Sequence, residues 1–365
     1  MIDIAEGVTL SNKKIKSILS DAEKTAQAVN LVYVHDSQPG ITRVRKGKTF
    51  HYFKGKKRLQ DKSSLDRINK LVIPPAWEEV WICGVENGHL QATGIDARKR
   101  KQYKYHALWN RLRTHTKFYR LYDFGNMLPS IRKQLVKDLS LTGLPAEKVL
   151  AAVVCLMDYT GMRIGNDVYE KLYGSFGLTT LKNRHATVTG NQIQFVFKGK
   201  KGVLQNISLK DKRLAKIVKQ CSEIPGKELF QYYADDGSHK DIDSGMVNDY
   251  LKSITNKDFT AKDFRTWSGT VQAISAFKCM NPAENATNIK SNIVAAMDQV
   301  AAHLGNTRTV CKKYYVHPII IDLYEKNNLY SYLEKIDADE PVTKYGALTS
   351  VEKLLMLILK REKIV

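Results

Sequence analysis

Two adjacent tyrosines, Tyr314 and Tyr315, stand behind Lys312 and Lys313 in the stretch LGNTRTVCKKYYVHP (304–318). A phenol with a pKa of about 10 is a poor nucleophile at neutral pH. It attacks a phosphodiester only where cations neutralise the charge that builds around phosphorus and an acid protonates the departing oxygen. Without a metal, that needs about two guanidiniums, a further hydrogen-bond donor and a lysine or similar acid. Each type occurs in a suitable setting. Arg163 follows an apolar run in DYTGMRIGND (158–167), in a glycine-flanked turn that would lift it into a groove. Lys200 sits at the tip of FKGKKG (197–202). Arg265 lies between aromatics in AKDFRTW (261–267), near the start of a predicted helix. Asn306 precedes Tyr315 by nine residues.

Each of these has a plainer reading. Arg163 could pair with Asp158 or Asp167, and Lys200 could solubilise a turn, with Lys198 and Lys201 beside it. Asn306, directly after Gly305, suits a helix N-cap. Tyr315 is four residues from Cys311 and Tyr314 four from Val310, so either could simply pack along a helix. Spacing leaves the choice between the two tyrosines open.

The elements that would carry these groups fall into two regions. Residues 10–30 read as a short amphipathic helix or two. LVYVHD, TFHYF, EVWICGV and HLQATGI follow as short β-like segments, punctuated by QPG, IPPAW and ENGH. From about residue 107 the pattern changes. VLAAVVCLM (149–157) is too uniformly apolar for a surface helix and predicts a buried one. GNQIQFVFKGKKGVLQNISL (190–209) has two alternating segments about a Gly/Lys turn, a hairpin pattern. In SNIVAAMDQVAAHLG, Ile293, Met297, Val300, Ala301 and Leu304 recur at helical spacing, with Gly305 as the stop. Thr349 and Glu352 form a capping-box pair ahead of KLLMLILK. The fold class expected is α+β: a small β-sheet-rich N-terminal domain (1–107, with a short helical leader), then a larger, mainly α-helical domain (108–365) with a β-hairpin.

Charge identifies the class of partner. In 365 residues, 58 Lys and Arg against 37 Asp and Glu give a net charge of +21. A surplus of that size implies a polyanion, and nucleic acid before a membrane surface. No basic amphipathic helix or lipidation signal accompanies it, and no apolar run approaches the roughly 20 residues that span a bilayer. RVRKGKTFHYFKGKKR (43–58) carries eight basic residues, three aromatics and no acid; ARKRKQYKYH (97–106) carries five basic residues, with Tyr103 and Tyr105 alternating. Lysine and arginine displace counterions from phosphates, and tyrosine offers a flat face and a hydroxyl. Arg45, Lys48, Arg98, Lys101, Tyr103 and Tyr105 are therefore candidate DNA contacts. KGKT (46–49) has the end of a phosphate-binding loop but Thr42 where its first glycine belongs, so a nucleotide cofactor is not expected. The five cysteines are dispersed without a C-x-x-C pair. With no signal-peptide pattern in MIDIAEGVTL, the expectation is a cytoplasmic, nucleoid-associated protein with reduced thiols.

In this order and setting, TGMRIGND, FKGKKG, KDFRTW and LGN…KKYYVHP resemble the catalytic motifs of type IB DNA topoisomerases, specifically the small bacterial and poxvirus-like group. IPPAWEEVWIC, NGHLQATGIDARKRKQYKYH and GLTTLKNRH extend the resemblance over roughly residues 28–320. It implies Tyr315 as nucleophile, with Tyr314 at a variable position. It implies Arg163 and Arg265 as clamps on the non-bridging phosphate oxygens, Lys200 as the acid for the 5′ oxygen, and Asn306 as a donor to a phosphate oxygen. Poxvirus members have histidine at that last position, so this chain follows the bacterial variant. Lys262 matches a lysine that contacts DNA in relatives. The activity implied is relaxation of supercoiled duplex DNA through a 3′-phosphotyrosyl intermediate, without ATP, metal or other cofactor, by a monomer that closes on DNA as a clamp. A tyrosine recombinase shares the Arg, Lys, Arg, Tyr logic. It usually shows H-x-x-R where this chain has Lys262 to Arg265, and it lacks the IPPAW…QATG region. A non-catalytic DNA-binding protein of the same fold is the other alternative.

Overall fold

The computed structural model describes residues 2–5, 8–10, 21–47, 49–97, 101–280, 285–334 and 346–362. The chain forms two compact units, Met1–Tyr119 and Arg120–Val365. Among the described residues no helix is long and apolar enough to cross a membrane.

The first unit opens with the antiparallel pair β1 (Ile2–Ala5) and β2 (Val8–Leu10), then α1 (Ala22–Gln27). Asp21 caps α1 by accepting the N–H of Glu23 and Lys24 at 3.0 Å each. A six-stranded antiparallel sheet follows: β3 (Ile41–Lys46), β4 (Thr49–Lys54), β5 (Lys57–Arg58), β6 (Glu78–Ile82), β7 (Leu90–Ile95) and β8 (Lys101–Tyr105), in the order β5-β4-β3-β6-β7-β8. Helix α2 (Lys62–Lys70), capped by Asp61, buries Ile68 against Ile41, Val80, Ile82 and Ala92 of the sheet. Three of the four expected strands form here. The fourth, LVYVHD, does not: Val32 makes only an isolated bridge to Gly88. The Nδ1 of His89 accepts the Val34 N–H at 3.1 Å, so a side chain supplies the acceptor a neighbouring strand would have offered.

The division between the units falls within the long helix α3 (Ala107–Asp138). In the second unit, α4 (Ala146–Thr160) is buried from Val149 to Asp158, as its uniform apolarity predicts. After α5 (Asp167–Tyr173), the expected hairpin appears as β10 (Gln192–Lys198) and β11 (Leu204–Lys210), with β9 (Ala186–Thr189) added on the far edge of β10. Ile193, Phe195 and Phe197 point inward and their neighbours outward, the period-two alternation of a one-sided sheet. Then come α6 (Lys212–Ser222), the short pair β12 (Gln231–Tyr233) and β13 (His239–Asp241), and α7 (Ser244–Thr255). Helix α8 (Ala261–Lys278) starts at a capping box in which Thr260 and Asp263 bond reciprocally. Helix α9 (Ala286–Leu304) buries Ile293, Met297, Val300, Ala301 and Leu304, the stripe read from the sequence. Helices α10 (Arg308–Tyr314), α11 (Pro318–Glu325), α12 (Tyr330–Leu333) and α13 (Ser350–Arg361) complete the unit, the last capped by Thr349 and Glu352 as expected.

One buried charge cluster ties four of these helices together. Arg132 of α3 uses all five of its N–H groups: on Asp158 of α4 (2.9 and 3.2 Å), on Glu352 of α13 (2.7 and 2.8 Å) and on the Ala347 carbonyl (2.8 Å). The indole N–H of Trp267 in α8 donates to the same Glu352 at 3.0 Å. Asp158 is thus the partner of Arg132 and not of Arg163, which corrects the simpler pairing drawn from sequence proximity.

Candidate active site

Two helices that end on left-handed glycines create the site. Gly161 closes α4 with φ 63°, and its N–H bonds the Met157 carbonyl at 3.0 Å. Gly305 closes α9 with φ 56°; its N–H and that of Asn306 bond the carbonyls of Ala302 and Ala301 at 3.2 and 2.9 Å, a Schellman cap. In both places a side chain on Cα would be strained, and glycine is not. These turns aim the last carbonyls of the two helices, the negative ends of their dipoles, at a common region. Arg163 donates from both terminal nitrogens to the Gly305 carbonyl at 3.2 Å each. Arg265, one turn into α8, donates to the Leu304 carbonyl at 2.9 Å and also to the Gly161 carbonyl. The two guanidiniums are therefore placed by main-chain acceptors from two helix ends.

The chain turns at the end of α10, and that turn separates the two tyrosines. Tyr314, the last helical residue, is 42% exposed, with the Lys313 ammonium 5.4 Å from its ring centre. Tyr315 has left helical geometry (φ −129°, ψ −19°) and is half-buried, with the Arg265 guanidinium carbon 5.0 Å from its ring centre. Its main chain is fastened to α8. The Thr270 hydroxyl lies 3.1 Å from the Tyr315 carbonyl and accepts the His317 N–H at 3.1 Å. A Cβ on Gly269 would come within 2.8 Å of that same carbonyl oxygen, so α8 approaches the tyrosine at the distance only glycine permits.

Arg163, Lys200, Lys262, Arg265, Tyr169 and Tyr315 line one open cleft of about 300 Å³. Lys198 and Lys201, the neighbours that left the choice of lysine open, are not among its lining residues. Burial raises the affinity of the Tyr315 phenol for its proton, but Arg265, Arg163 and Lys200 together outweigh it and hold the phenol below its ordinary value. Burial, with the like charge of Arg265, pushes the Arg163 guanidinium down to about 10, still cationic at neutral pH. Burial also lowers Arg265.

Asn306 stands beside the cleft instead of lining it. It is not the N-cap of α10 that its position after Gly305 suggested: Thr307 takes that role, accepting the Val310 N–H at 3.4 Å, while the Asn306 N–H belongs to the Schellman cap of α9. The Asn306 amide nitrogen is buried without a hydrogen bond inside the protein, and so is the Arg265 Nε. A buried donor left unpaired costs about 1–3 kcal/mol.

In the first unit, Tyr103 and Tyr105 alternate on β8 with rings 6.0 Å apart and 10° from parallel, and Tyr103 is 49% exposed. Lys101, on the same face, pairs with Asp36 at 2.5 Å. Arg45 is exposed near the end of β3, its Nε 3.3 Å from the Gly47 carbonyl. Lys48 and Arg98 lie outside the described residues.

The sequence family described as "Eukaryotic DNA topoisomerase I, catalytic core" matches residues 100–338, which include every catalytic candidate, and "Bacterial DNA topoisomerase IB, N-terminal domain" matches residues 49–96. The chain belongs to the type IB DNA topoisomerases. DNA topoisomerase 1B of Acanthamoeba polyphaga mimivirus is 32% identical over 297 residues, 79% of this chain and 88% of the relative. DNA topoisomerase 1B of Vaccinia virus (strain Copenhagen) is 23% identical over 278 residues, 74% of this chain and 82% of the relative. This topoisomerase is thus an enzyme of the viral and bacterial-like group, and its substrate is DNA. Contributors to the site not found from the sequence are Thr270, Gly269 and the main-chain carbonyls of Leu304, Gly161 and Gly305. The signal for the first two is the small-residue step SGT (268–270), three to five residues after Arg265, which at helical spacing faces whatever packs above that arginine.

Proposed function

We propose that Tyr315 is the nucleophile of a metal- and ATP-independent cleavage and resealing of one DNA strand. The phenolic oxygen bonds to a backbone phosphorus and the bond to the 5′ oxygen breaks. The protein is left joined to the 3′ phosphate, and the freed strand ends in a 5′ hydroxyl. The phenol's proton passes to solvent, and Lys200, with Lys262 beside it in the cleft, gives a proton to the departing oxygen. Arg163 and Arg265 neutralise the non-bridging oxygens, and Asn306 adds an amide hydrogen bond; an amide exchanges no proton at neutral pH, so its part is electrostatic. One phosphodiester is exchanged for another of similar energy, so resealing is the same step reversed and consumes no nucleotide. While the strand is open, torsional strain turns the free end and supercoils of either sign relax. One chain carries all five groups, so a monomer suffices.

The observation that carries this reading is the Arg265 guanidinium 5.0 Å from the centre of the Tyr315 ring, in a cleft shared with Arg163 and Lys200. Supercoiled plasmid incubated with the protein in EDTA without ATP tests it. Wild type and Tyr314→Phe should relax the plasmid, and Tyr315→Phe should not. Survival of activity in Tyr315→Phe with loss in Tyr314→Phe would assign the reaction to the other hydroxyl.

A further inference from the structure

The Lys200 turn is held together locally. Gly199 bonds Val203 through its N–H at 2.8 Å, and Gly202 bonds Gly199 at 3.0 Å. Lys201 sits in the left-handed region at φ 63°, which only a tight turn imposes on a side-chain-bearing residue. These bonds shape the turn but do not place it against the rest of the site. Lys200 itself is exposed. The Phe176 N–H ties the strand end before the turn by bonding the Lys198 carbonyl at 2.8 Å. Toward the cap of α9, the contact comes from Gln205, which pairs across the hairpin with Phe197.

Gln205 lies against glycines from two separate elements. A Cβ on Gly199, the residue before Lys200, would come 3.1 Å from the Gln205 Cγ. A Cβ on Gly305 would come 2.3 Å from its Oε1 and 2.7 Å from its Nε2. The stem of the side chain therefore covers the base of the lysine turn, and its amide covers the cap of α9 whose carbonyl holds Arg163. Only about 10 Å³ of free space remains where Gly199, Gln205, Leu304, Arg163 and Arg265 meet, room for one water at most.

We infer that Gln205 is a positioning residue for the leaving-group acid: it is the strut that sets the distance between the Lys200 turn and the arginine-bearing cap of α9. This rests on Lys200 being the acid proposed above. A misplacement of about 1 Å costs on the order of 10²-fold, and general acid catalysis supplies about 10²- to 10⁴-fold. Loss of the strut therefore slows the step that protonates the 5′ oxygen. It leaves the tyrosine and arginines, held by α8 and the helix caps, where they are.

A change of leaving group tests this. The cleavage position is first mapped on an ordinary duplex oligonucleotide, and the bridging 5′ oxygen there is then replaced by sulfur. A thiolate, with a pKa of about 8.5, departs without an acid. Gln205→Ala should cleave the oxygen substrate at least about tenfold more slowly than wild type in single turnover, and the sulfur substrate at close to the wild-type rate. Equal slowing on both substrates, or no slowing on either, overturns the inference. Lys200→Ala is the control. If sulfur fails to restore its rate, the assignment of the acid falls, and the role of Gln205 with it; if sulfur restores Lys200→Ala but not Gln205→Ala, only the strut falls. Gln205→Met keeps the stem over Gly199 and removes the amide; it replaces Gln205→Ala should that variant not fold, with the same expected pattern.

Discussion

Tyr315 shares its cleft with four cations, and the combined field of three of them, Arg265, Arg163 and Lys200, outweighs the burial that would otherwise keep the phenol protonated. The direction is downward from 10.0, so the proton is released at lower pH than from an exposed tyrosine. Subtracting the phenolate ultraviolet absorbance of Tyr315→Phe from that of wild type isolates this one titration. Its midpoint should fall below pH 10 and move upward in Arg163→Ala, which removes one of the three cations. A midpoint unmoved by that substitution would mean that Arg163 does not act on the phenol electrostatically. Arg163→Ala should also slow cleavage by on the order of 10²-fold, the scale for loss of a preorganised charge donor.

At the scale of elements, the site depends on main-chain features more than on side-chain pairs. Two helix C-termini supply the acceptors for the arginines, and α8 carries both Arg265 and the residues that grip the Tyr315 segment. Thr270 is central to that grip. Its hydroxyl also lies 2.9 Å from the Thr266 carbonyl, so it joins its own helix to the segment of Tyr315 and His317. Thr270→Val keeps the shape but leaves the buried His317 N–H without its acceptor, a loss of about 1–3 kcal/mol. That variant should cleave about 10²-fold more slowly with DNA affinity unchanged, because the hydroxyl places the tyrosine and does not touch DNA. Thr270→Ser should retain most of the rate. Equal rates for the Val and Ser variants in single-turnover cleavage would remove Thr270 from the site.

At the scale of the whole second unit, the Arg132 cluster locks α3, α4, α8 and α13 together within the core into which Cys311 and Val316 of the tyrosine segment also pack. Burial raises the Glu352 carboxyl, but Arg132 and the Trp267 indole outweigh it and hold it at about 2. The folded value lies below the unfolded one, so this stabilisation is fully present above about pH 4.5 and is lost as pH falls toward 2. Glu352→Gln leaves Arg132 partly unpaired and should lower stability at neutral pH by about 3 kcal/mol, as breaking a buried pair does. Its disadvantage should shrink as pH falls below 4.5. Urea unfolding followed through Trp267, the one tryptophan of the second unit, measures both. Parallel stability curves for variant and wild type across that range would contradict the assignment of the acid-labile charge to Glu352.

Motif order, spacing and charge identified the family, the partner and the five candidate residues, because short motifs depend on local chain and on chemistry that tolerates few residue types. The buried helix at 149–157, the hairpin at 190–209, the α9 stripe and the Thr349–Glu352 cap were legible for the same reason: period and capping are written within a few residues of where they act. Tertiary structure put Tyr315 in the cleft and Tyr314 at the surface, lined that cleft with Lys200 and not with its lysine neighbours, gave Asp158 to Arg132, and left LVYVHD outside the sheet. Each of those outcomes depends on groups brought together from distant parts of the chain, as Arg163 is to Gly305 and Arg132 to Glu352. A residue's type states what bond it can make; only the packing of the helices determines which acceptor arrives within about 3 Å of it.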